Sequence, residues 1–495
     1  MSTAKTLLCA CEDVTLEDVR RAFASGHRDL ESVKRYTGFG TGSCQGKSCL
    51  ALVSAELLRL GATPAEVTPF TARTPAEPVT LSELASLDPK TLPLDPTGEE
   101  DPASAPEFRP RPSHELPARA DVVVVGGGIM GLGLAYHLAR RGIRDVVVLE
   151  RGYLNAGASG RNGGGVRTQW TTPTMIRLAR RSIELCRRFA VDLGINVWLR
   201  QGGYLFLAPG RAEASLLERN QRVHEENGLN TRLVTSDEAL AIAPGLDPRR
   251  FVAGAFNPDD GVVFPWPFLW GYATRAESLG VKVLTFTRVT GFERSAGRLV
   301  AVATDRGRIA CQTVVNAAGA WSKEVAALAG VSLPNRPTRH EILVTESTRP
   351  WLDPLVSVLG SGLYFSQTQR GEIVGGLGDP DEPEGIALGS TLRFLARFAR
   401  AITACMPITG SLQVVRQWAG CYDVTPDNNP ILGAAGPGNF LQLSGFVGHG
   451  FMMAPAVTEL MAGWMAGDPP DPIFERFTVD RFSRGEPVRE DFIIG

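Results

Sequence analysis

An α/β fold is predicted for the larger part of this chain, and three features between residues 120 and 150 predict it. Asp121-Val122-Val123-Val124-Val125 is an apolar run of strand length. Gly126-Gly127-Gly128-Ile129-Met130-Gly131 follows it directly and opens a helical stretch over residues 130–140. A second strand over residues 145–149 ends at Glu150, about twenty residues beyond the last glycine. In that order the residues form a Rossmann-type dinucleotide fingerprint. Gly126 and Gly128 let the backbone turn tightly and approach a pyrophosphate, and Gly131 lets the helix pack close to the strand. The helix start at Ile129 and Met130 offers N–H groups and a positive dipole to phosphate, and Glu150 is placed for a ribose hydroxyl.

Composition bounds the rest. The 495 residues are enough for two or three domains, and 43% hydrophobic with 21% charged residues is a globular composition. A net charge of −2, from 51 basic and 53 acidic residues, leaves no electrostatic footprint for nucleic acid or an anionic membrane. No apolar run approaches the roughly 18 residues that a membrane-spanning helix needs. Glu12 and Asp13 interrupt any signal-peptide core at the N-terminus, so a cytoplasmic location is expected. Eight cysteines do not make a disulfide scaffold in a chain this long, yet four of them fall within the first 49 residues.

The elements follow in order. Residues 1–61 predict a small all-helical unit. Thr15 with Asp18 makes a capping-box start, helical apolar spacing covers residues 16–24 until Gly26, and further helices fit residues 29–36 and 49–60. Cys9-Ala10-Cys11 and Cys44-Gln45-Gly46-Lys47-Ser48-Cys49 place four thiolates in two close pairs, a set able to hold zinc or an iron–sulfur cluster. Cys49 stands at a helix start, where the dipole favours its thiolate. Residues 62–118 carry twelve of the chain's 34 prolines and predict an extended linker with one short helix near residues 81–87. Beyond the fingerprint, strands are expected at residues 281–286, 299–304 and 313–316, and a final helix at 455–466.

Past Glu150 the pattern leaves the nicotinamide dehydrogenases. Arg151 follows the acid, and Ala158-Ser159-Gly160-Arg161-Asn162-Gly163-Gly164-Gly165-Val166-Arg167 offers backbone N–H groups and two cations. Three more stretches stand out: Val314-Val315-Asn316-Ala317-Ala318-Gly319-Ala320-Trp321-Ser322, Trp418-Ala419-Gly420-Cys421-Tyr422-Asp423-Val424-Thr425-Pro426-Asp427, and Gly445-Phe446-Val447-Gly448-His449-Gly450-Phe451-Met452. Together they make residues 119–470 resemble the D-amino-acid oxidase superfamily of FAD enzymes, on the branch of sarcosine oxidase beta, the proline and opine dehydrogenases and cyanide-forming glycine dehydrogenase.

That resemblance implies an FAD-binding part (about 119–200, 270–330 and 410–470) interleaved with an α+β, mixed-sheet substrate part (about 200–270 and 331–410). It implies FAD contacts from Arg151, Ser159, Arg161, Asn162, Gly163, Gly164, Val289, Ala317, Gly319, Trp321, Gly420, Gly445, Gly448, His449, Gly450, Phe451 and Met452. It gives Arg167 to the substrate carboxylate, Tyr364 and Tyr422 to closing the pocket or bonding that carboxylate, and His449 to the flavin's surroundings. Where some relatives attach FAD to cysteine, this chain has Gly420, one residue before Cys421, so non-covalent FAD is expected. Met452 and Tyr422 replace a lysine and an arginine of sarcosine and glycine oxidases, which argues against copying either specificity.

The N-terminal order, Cys-x-Cys, two helices, then Cys-Gln-Gly-Lys-x-Cys, resembles the bacterioferritin-associated-ferredoxin-like [2Fe–2S] domain, with Cys9, Cys11, Cys44 and Cys49 as ligands. Both resemblances together imply an FAD dehydrogenase acting on the C–N bond of a small zwitterionic amino acid or secondary amine, with electrons leaving singly towards a partner subunit or other one-electron acceptor. An oxygen-using sarcosine- or glycine-type oxidase, or a cyanide-forming glycine dehydrogenase subunit, with the N-terminal domain only a docking module, is the alternative.

Overall fold

The structure is a computed structural model and describes residues 6–42, 44–70, 74–75, 77–94, 115–488 and 490. Its two large sheets are built from interleaved stretches of chain. In the eight-stranded sheet, Lys282–Leu284, Val146–Leu149, Arg119–Val125 and the second half of Gly307–Asn316 run parallel, with Phe440–Ser444 parallel on the far side of Gly307–Asn316. Val289–Ser295 and Arg298–Thr304 extend it antiparallel. The valine run is buried on both faces, as a parallel strand between helices must be. Val122 and Val124 join a core with the helices Ile129–Arg140, Pro173–Asp192, Pro265–Ser278 and Gly450–Met465, while Val123 and Val125 join another with Val147, Val302 and Phe440.

The second sheet has nine strands in the order Val79–Thr80, Gln413–Val424, Arg336–Ser347, Glu372–Gly376, Tyr364–Gln367, Leu355–Val358, Tyr204–Ala208, Ala253–Asn257, Arg232–Val234. It is antiparallel apart from the pairing of Leu355–Val358 with Tyr204–Ala208, so it is a mixed sheet. Its long central pair sets Thr338 against Tyr422 and His340 against Gly420. The amphipathic helix Leu392–Cys405 buries Phe394, Phe398 and Ile402 against one face.

The N-terminal unit is mostly helical but not all-helical. Leu7–Cys9 and Val14–Thr15 pair antiparallel around a turn in which Asp13 has φ 51°. Strands of three and two residues carry too little periodicity to read from sequence. Helices follow at Leu16–Ala24, closed by the Thr15–Asp18 capping box, at Leu30–Thr37, ended by Gly38 at φ 83°, and at Leu50–Arg59. The unit has its own core of Val19, Ala22, Leu30, Val33, Phe39, Val53 and Leu57.

It is also fastened to the body. Arg35 lies 4.1 Å over the Tyr153 ring, Tyr36 is 5.0 Å from Trp270, and Glu12 pairs with Arg370. Gln45 donates to the carbonyls of Pro75 and Val415, and Arg416 donates to that of Thr41.

Within the stretch expected as linker, Val79–Thr80 adds a strand to the second sheet, and the helix Leu81–Ser86 buries Leu81 and Leu84 in that sheet's core. Residues 95–114 of that stretch lie outside the described residues. Among the described residues, no helix is long and apolar enough to cross a membrane.

Candidate functional site

One cavity of about 390 Å³ runs from the glycine fingerprint to the second sheet, and nearly all the residues singled out above line it. Of the residues expected at the cofactor or substrate, Gly131 is the exception. It packs behind the fingerprint, where a Cβ would stand 2.0 Å from the carbonyl oxygen of Gly126, so its part is to let helix and turn approach.

The fingerprint end is built from backbone. Gly126 has φ 115°, and a Cβ there would meet Ala317 O at 2.3 Å. Glu150 accepts from Gly127 N and Gly152 N, both at 2.8 Å, which fixes its carboxylate at the end of its strand. Ser159 Oγ accepts from Ile129 N at 3.0 Å at the start of the helix. Arg151 lies 4.9 Å over the Trp321 ring on the neighbouring wall, beside Val289, Ala317 and Gly319.

Arg161 carries its charge into the cavity wall. It borders the cavity, but Nε and Nη1 donate to the carbonyls of Ala156 (2.7 Å) and Ala419 (2.9 Å), and its own carbonyl accepts from Trp418 Nε1 at 3.0 Å. It ties the 156–161 turn to the strand Gln413–Val424. Asn162 accepts from Gly164 N at 2.8 Å and donates to Ser159 O at 2.6 Å, shaping the glycine turn beneath the cavity's middle.

The last helix supplies the next wall. Gly445, Gly448, His449, Gly450, Phe451 and Met452 line it, with His449 the residue before the helix Gly450–Met465. Gly448 is pressed on Tyr422, since a Cβ would stand 2.6 Å from that ring. Val447 holds φ 53°, a strained setting for a β-branched residue, bridged to Asp423. Asp423 accepts from Asn335 Nδ2 (2.8 Å) and Gly445 N (2.7 Å), and burial raises its pKa to about 6.

The second-sheet end is built from side chains. Arg167 is 1% exposed, its guanidinium 4.1 Å over the Trp170 ring and 5.4 Å over Phe206, with Nη2 3.5 Å from His449 Nε2. Burial lowers its pKa. Across from it His340, Tyr364 and Tyr422 form a stack: His340 is 4.4 Å from Tyr422 and 5.7 Å from Tyr364, with rings within 12° of parallel. His340 Nε2 is hydrogen-bonded to the Tyr364 hydroxyl at 3.1 Å, and burial lowers the histidine's pKa to about 4, so the ring is neutral. Burial raises both tyrosines, and Tyr204 to about 12.

His340, Tyr204, Leu355 and Leu388 line this end, and the sequence reading had not singled them out. Register alone gives a signal for His340, which sits opposite Gly420. Cys421 lines the cavity too, but its thiol donates to Ala387 O at 3.2 Å and burial raises its pKa to about 11.

The fingerprint end fits a dinucleotide, on the closely packed glycines, the fixed carboxylate and the helix start. The four N-terminal cysteines form two pairs outside this cavity. Cys11 and Cys44 Sγ are 3.6 Å apart, and Cys49, raised to about 12 by burial and then by its neighbours, has a thiol–thiol hydrogen bond with Cys9, all four thiols being free. Among the described residues no three His, Cys, Asp or Glu side chains gather to hold a single metal ion.

Comparison with known proteins agrees with this geometry. Residues 121–464 match a family described as FAD dependent oxidoreductase, and residues 3–87 match the sarcosine oxidase A3 domain. The second match runs past residue 61, through the helix Leu81–Ser86 that packs on the second sheet. Sarcosine oxidase subunit beta of Rhizobium meliloti is 32% identical over 370 residues, 74% of this chain and 89% of that protein. The crystal structure of L-proline dehydrogenase from P. horikoshii superposes with a TM-score of 0.71 at 35% identity, covering 75% of this chain and all of that one. Glycine oxidase from Geobacillus kaustophilus shares the fold, with a TM-score of 0.68 at 24% identity over 74% of this chain.

Proposed function

We propose, for a chain that belongs to the FAD-dependent oxidoreductase family, the oxidation of the C–N bond of a small amino acid or secondary amine carrying a carboxylate, of the proline, sarcosine or opine type. The observation that carries this reading is the joining of two ends in one cavity: a backbone cradle shaped for a dinucleotide, and a buried guanidinium facing an uncharged aromatic wall.

FAD, when bound, supplies the hydride acceptor. Gly126, Gly128 and the start of the helix Ile129–Arg140 hold its pyrophosphate, Glu150 its ribose, and the residues 445–452 border its ring. Arg167 holds the substrate carboxylate, a task suited to a two-pronged donor in a dry site. The stack of His340, Tyr364 and Tyr422 excludes water and bears no charge, so it favours the neutral amine over the ammonium ion. The Tyr364 hydroxyl, hydrogen-bonded to His340 Nε2, is the polar group that this wall offers to a substrate nitrogen.

The four N-terminal cysteines hold a [2Fe–2S] cluster in the same reading, which would supply one-electron exchange with a partner subunit or acceptor. Two thiol pairs suit two irons better than one. The similarity to a sarcosine oxidase beta subunit supports a heteromeric assembly, and the near-neutral charge argues against nucleic acid as a partner.

The test is a visible spectrum of the purified full chain, followed by anaerobic addition of L-proline, hydroxyproline, sarcosine, glycine and an opine. Flavin bleaching by one of these supports the reading, and an inert flavin with all of them counts against it. Cys44→Ser and Cys49→Ser should lose bound iron while retaining flavin. Iron retained in both variants removes the cluster assignment and favours the docking-module alternative.

A further inference from the structure

Two carboxylates from distant parts of the chain grip the loop that carries Arg167. Asp260, fully buried beyond the strand Ala253–Asn257, accepts from Thr168 N and Thr168 Oγ1, both at 2.7 Å, and from Gln169 Nε2 at 3.2 Å. Asn257 adds a bond to Thr168 Oγ1 at 2.8 Å. Glu490, 8% exposed, accepts from Thr171 N at 2.8 Å, from Thr171 Oγ1, and from Thr172 Oγ1 at 3.2 Å.

The chain leading to Glu490 is itself anchored. Val488 N donates to Asp427 Oδ2 at 2.9 Å, Asn429 Nδ2 donates to Val488 O at 3.0 Å, and Asp427 is held by both arms of the buried Arg481 at 2.8 Å. Six loop donors, three from residues 168–169 and three from residues 171–172, therefore end on two carboxylates.

A buried guanidinium is costly without nearby negative charge, but a carboxylate placed directly on its fork would occupy the donors that a substrate carboxylate requires. Asp260 and Glu490 spend these hydrogen bonds on the loop's N–H, amide and hydroxyl groups. Both act on Arg167 in the direction that keeps its proton, against burial.

We propose that Asp260 and Glu490 are positioning residues that bracket the 167–172 loop and supply Arg167 with counter-charge, so that its guanidinium is presented to a substrate carboxylate. The proposal rests on the reading of Arg167 given above. It makes the C-terminal tail part of substrate recognition, although Glu490 lies more than three hundred residues from Arg167 in sequence.

The experiment uses the flavin-loaded full chain and two dead-end probes, pyrrole-2-carboxylate and pyrrole, each titrated through the flavin absorption band. In Asp260→Asn and Glu490→Gln the dissociation constant for pyrrole-2-carboxylate should rise about tenfold, a loss near 1.4 kcal/mol, with that for pyrrole unchanged. Glu490→Asp should recover most of the affinity. Equal weakening of both probes, or of neither, overturns the proposal, because a merely structural role would not separate them. Should Asp260→Asn fail to retain flavin, Glu490→Gln carries the test alone. An Arg167→Gln variant that binds pyrrole-2-carboxylate as tightly as the wild type overturns the proposal by removing its premise, and assigns the failure to the reading of Arg167.

Discussion

The two ends of the cavity are made of different material. At the fingerprint end the wall is main chain held in place by glycines, with one carboxylate fixed by N–H groups of the fingerprint turn and of its own turn. At the second-sheet end it comes from large buried side chains, Arg167, Tyr204, His340, Tyr364 and Tyr422, each brought by a different strand or loop. A backbone cradle tolerates no added atoms but asks little of remote residues. A side-chain site depends on packing assembled across the whole chain. On the proposed reading cofactor binding and substrate choice are thereby separated, and substitutions at the two ends should fail in different ways.

The largest effect is expected where an atom is added to the cradle. Gly126→Val places a branched side chain at φ 115° and against Ala317 O, and should abolish flavin retention. The flavin-to-protein absorbance ratio of the purified variant checks this, and near-normal loading would break the distinction between the ends.

Arg167→Ala should keep flavin and lose kcat/KM for a carboxylate-bearing substrate by about 4 kcal/mol, roughly a thousandfold. The descarboxy amine should be nearly indifferent to the change. Steady-state kinetics with the matched pair, for example L-proline and pyrrolidine, measures the difference.

A smaller effect concerns pH. His340 has a folded pKa near 4, against 6.5 for the exposed ring, because burial penalises its charge. Between these values the unfolded chain binds the extra proton, so stability is complete above about pH 6.5 and declines as pH falls towards 4, by on the order of 3 kcal/mol. Buried Asp260 and Asp423, both raised to about 6, contribute with the opposite sign, since the folded state keeps their protons longer. The informative quantity is therefore the difference from His340→Gln, whose melting temperature should fall less steeply than that of the wild type below pH 6. Parallel curves would contradict a buried neutral His340.

The smallest effect is expected for Tyr364→Phe, which deletes one hydroxyl from the stack. It should cost about 1 kcal/mol in substrate binding and leave flavin content untouched. A binding titration against Arg167→Ala would show how unequally the substrate end distributes its energy.

The same contrast decides what could be read from sequence. The fingerprint, its two strands and Glu150 lie within about thirty residues, and every requirement there is local: a turn, a helix start, a strand end. Arg167 and Tyr364 were legible only through resemblance. His340 has no periodic or motif signal of its own, since its meaning comes from the register that sets it beside Gly420 and from a tyrosine 24 residues away. Asp260 and Glu490 were invisible because their partners lie 91 to 319 residues distant. The N-terminal hairpin escaped for another reason, because pairs so short are held by their turn and the core beneath rather than by any strand pattern. The proline-rich stretch hides a strand of two residues, Val79–Thr80, whose only reason to be extended is the free edge of Gln413–Val424 beside it.

The most direct test of the central claim is a crystal structure of the flavin-loaded chain with pyrrole-2-carboxylate bound. The flavin ring is expected between the glycine turn at 163–165 and the helix start at Gly450, with the ligand's carboxylate on the Arg167 guanidinium and its ring against His340, Tyr364 and Tyr422. A carboxylate bound at Arg151 or Arg161 instead, with Arg167 left untouched by the ligand, would contradict it.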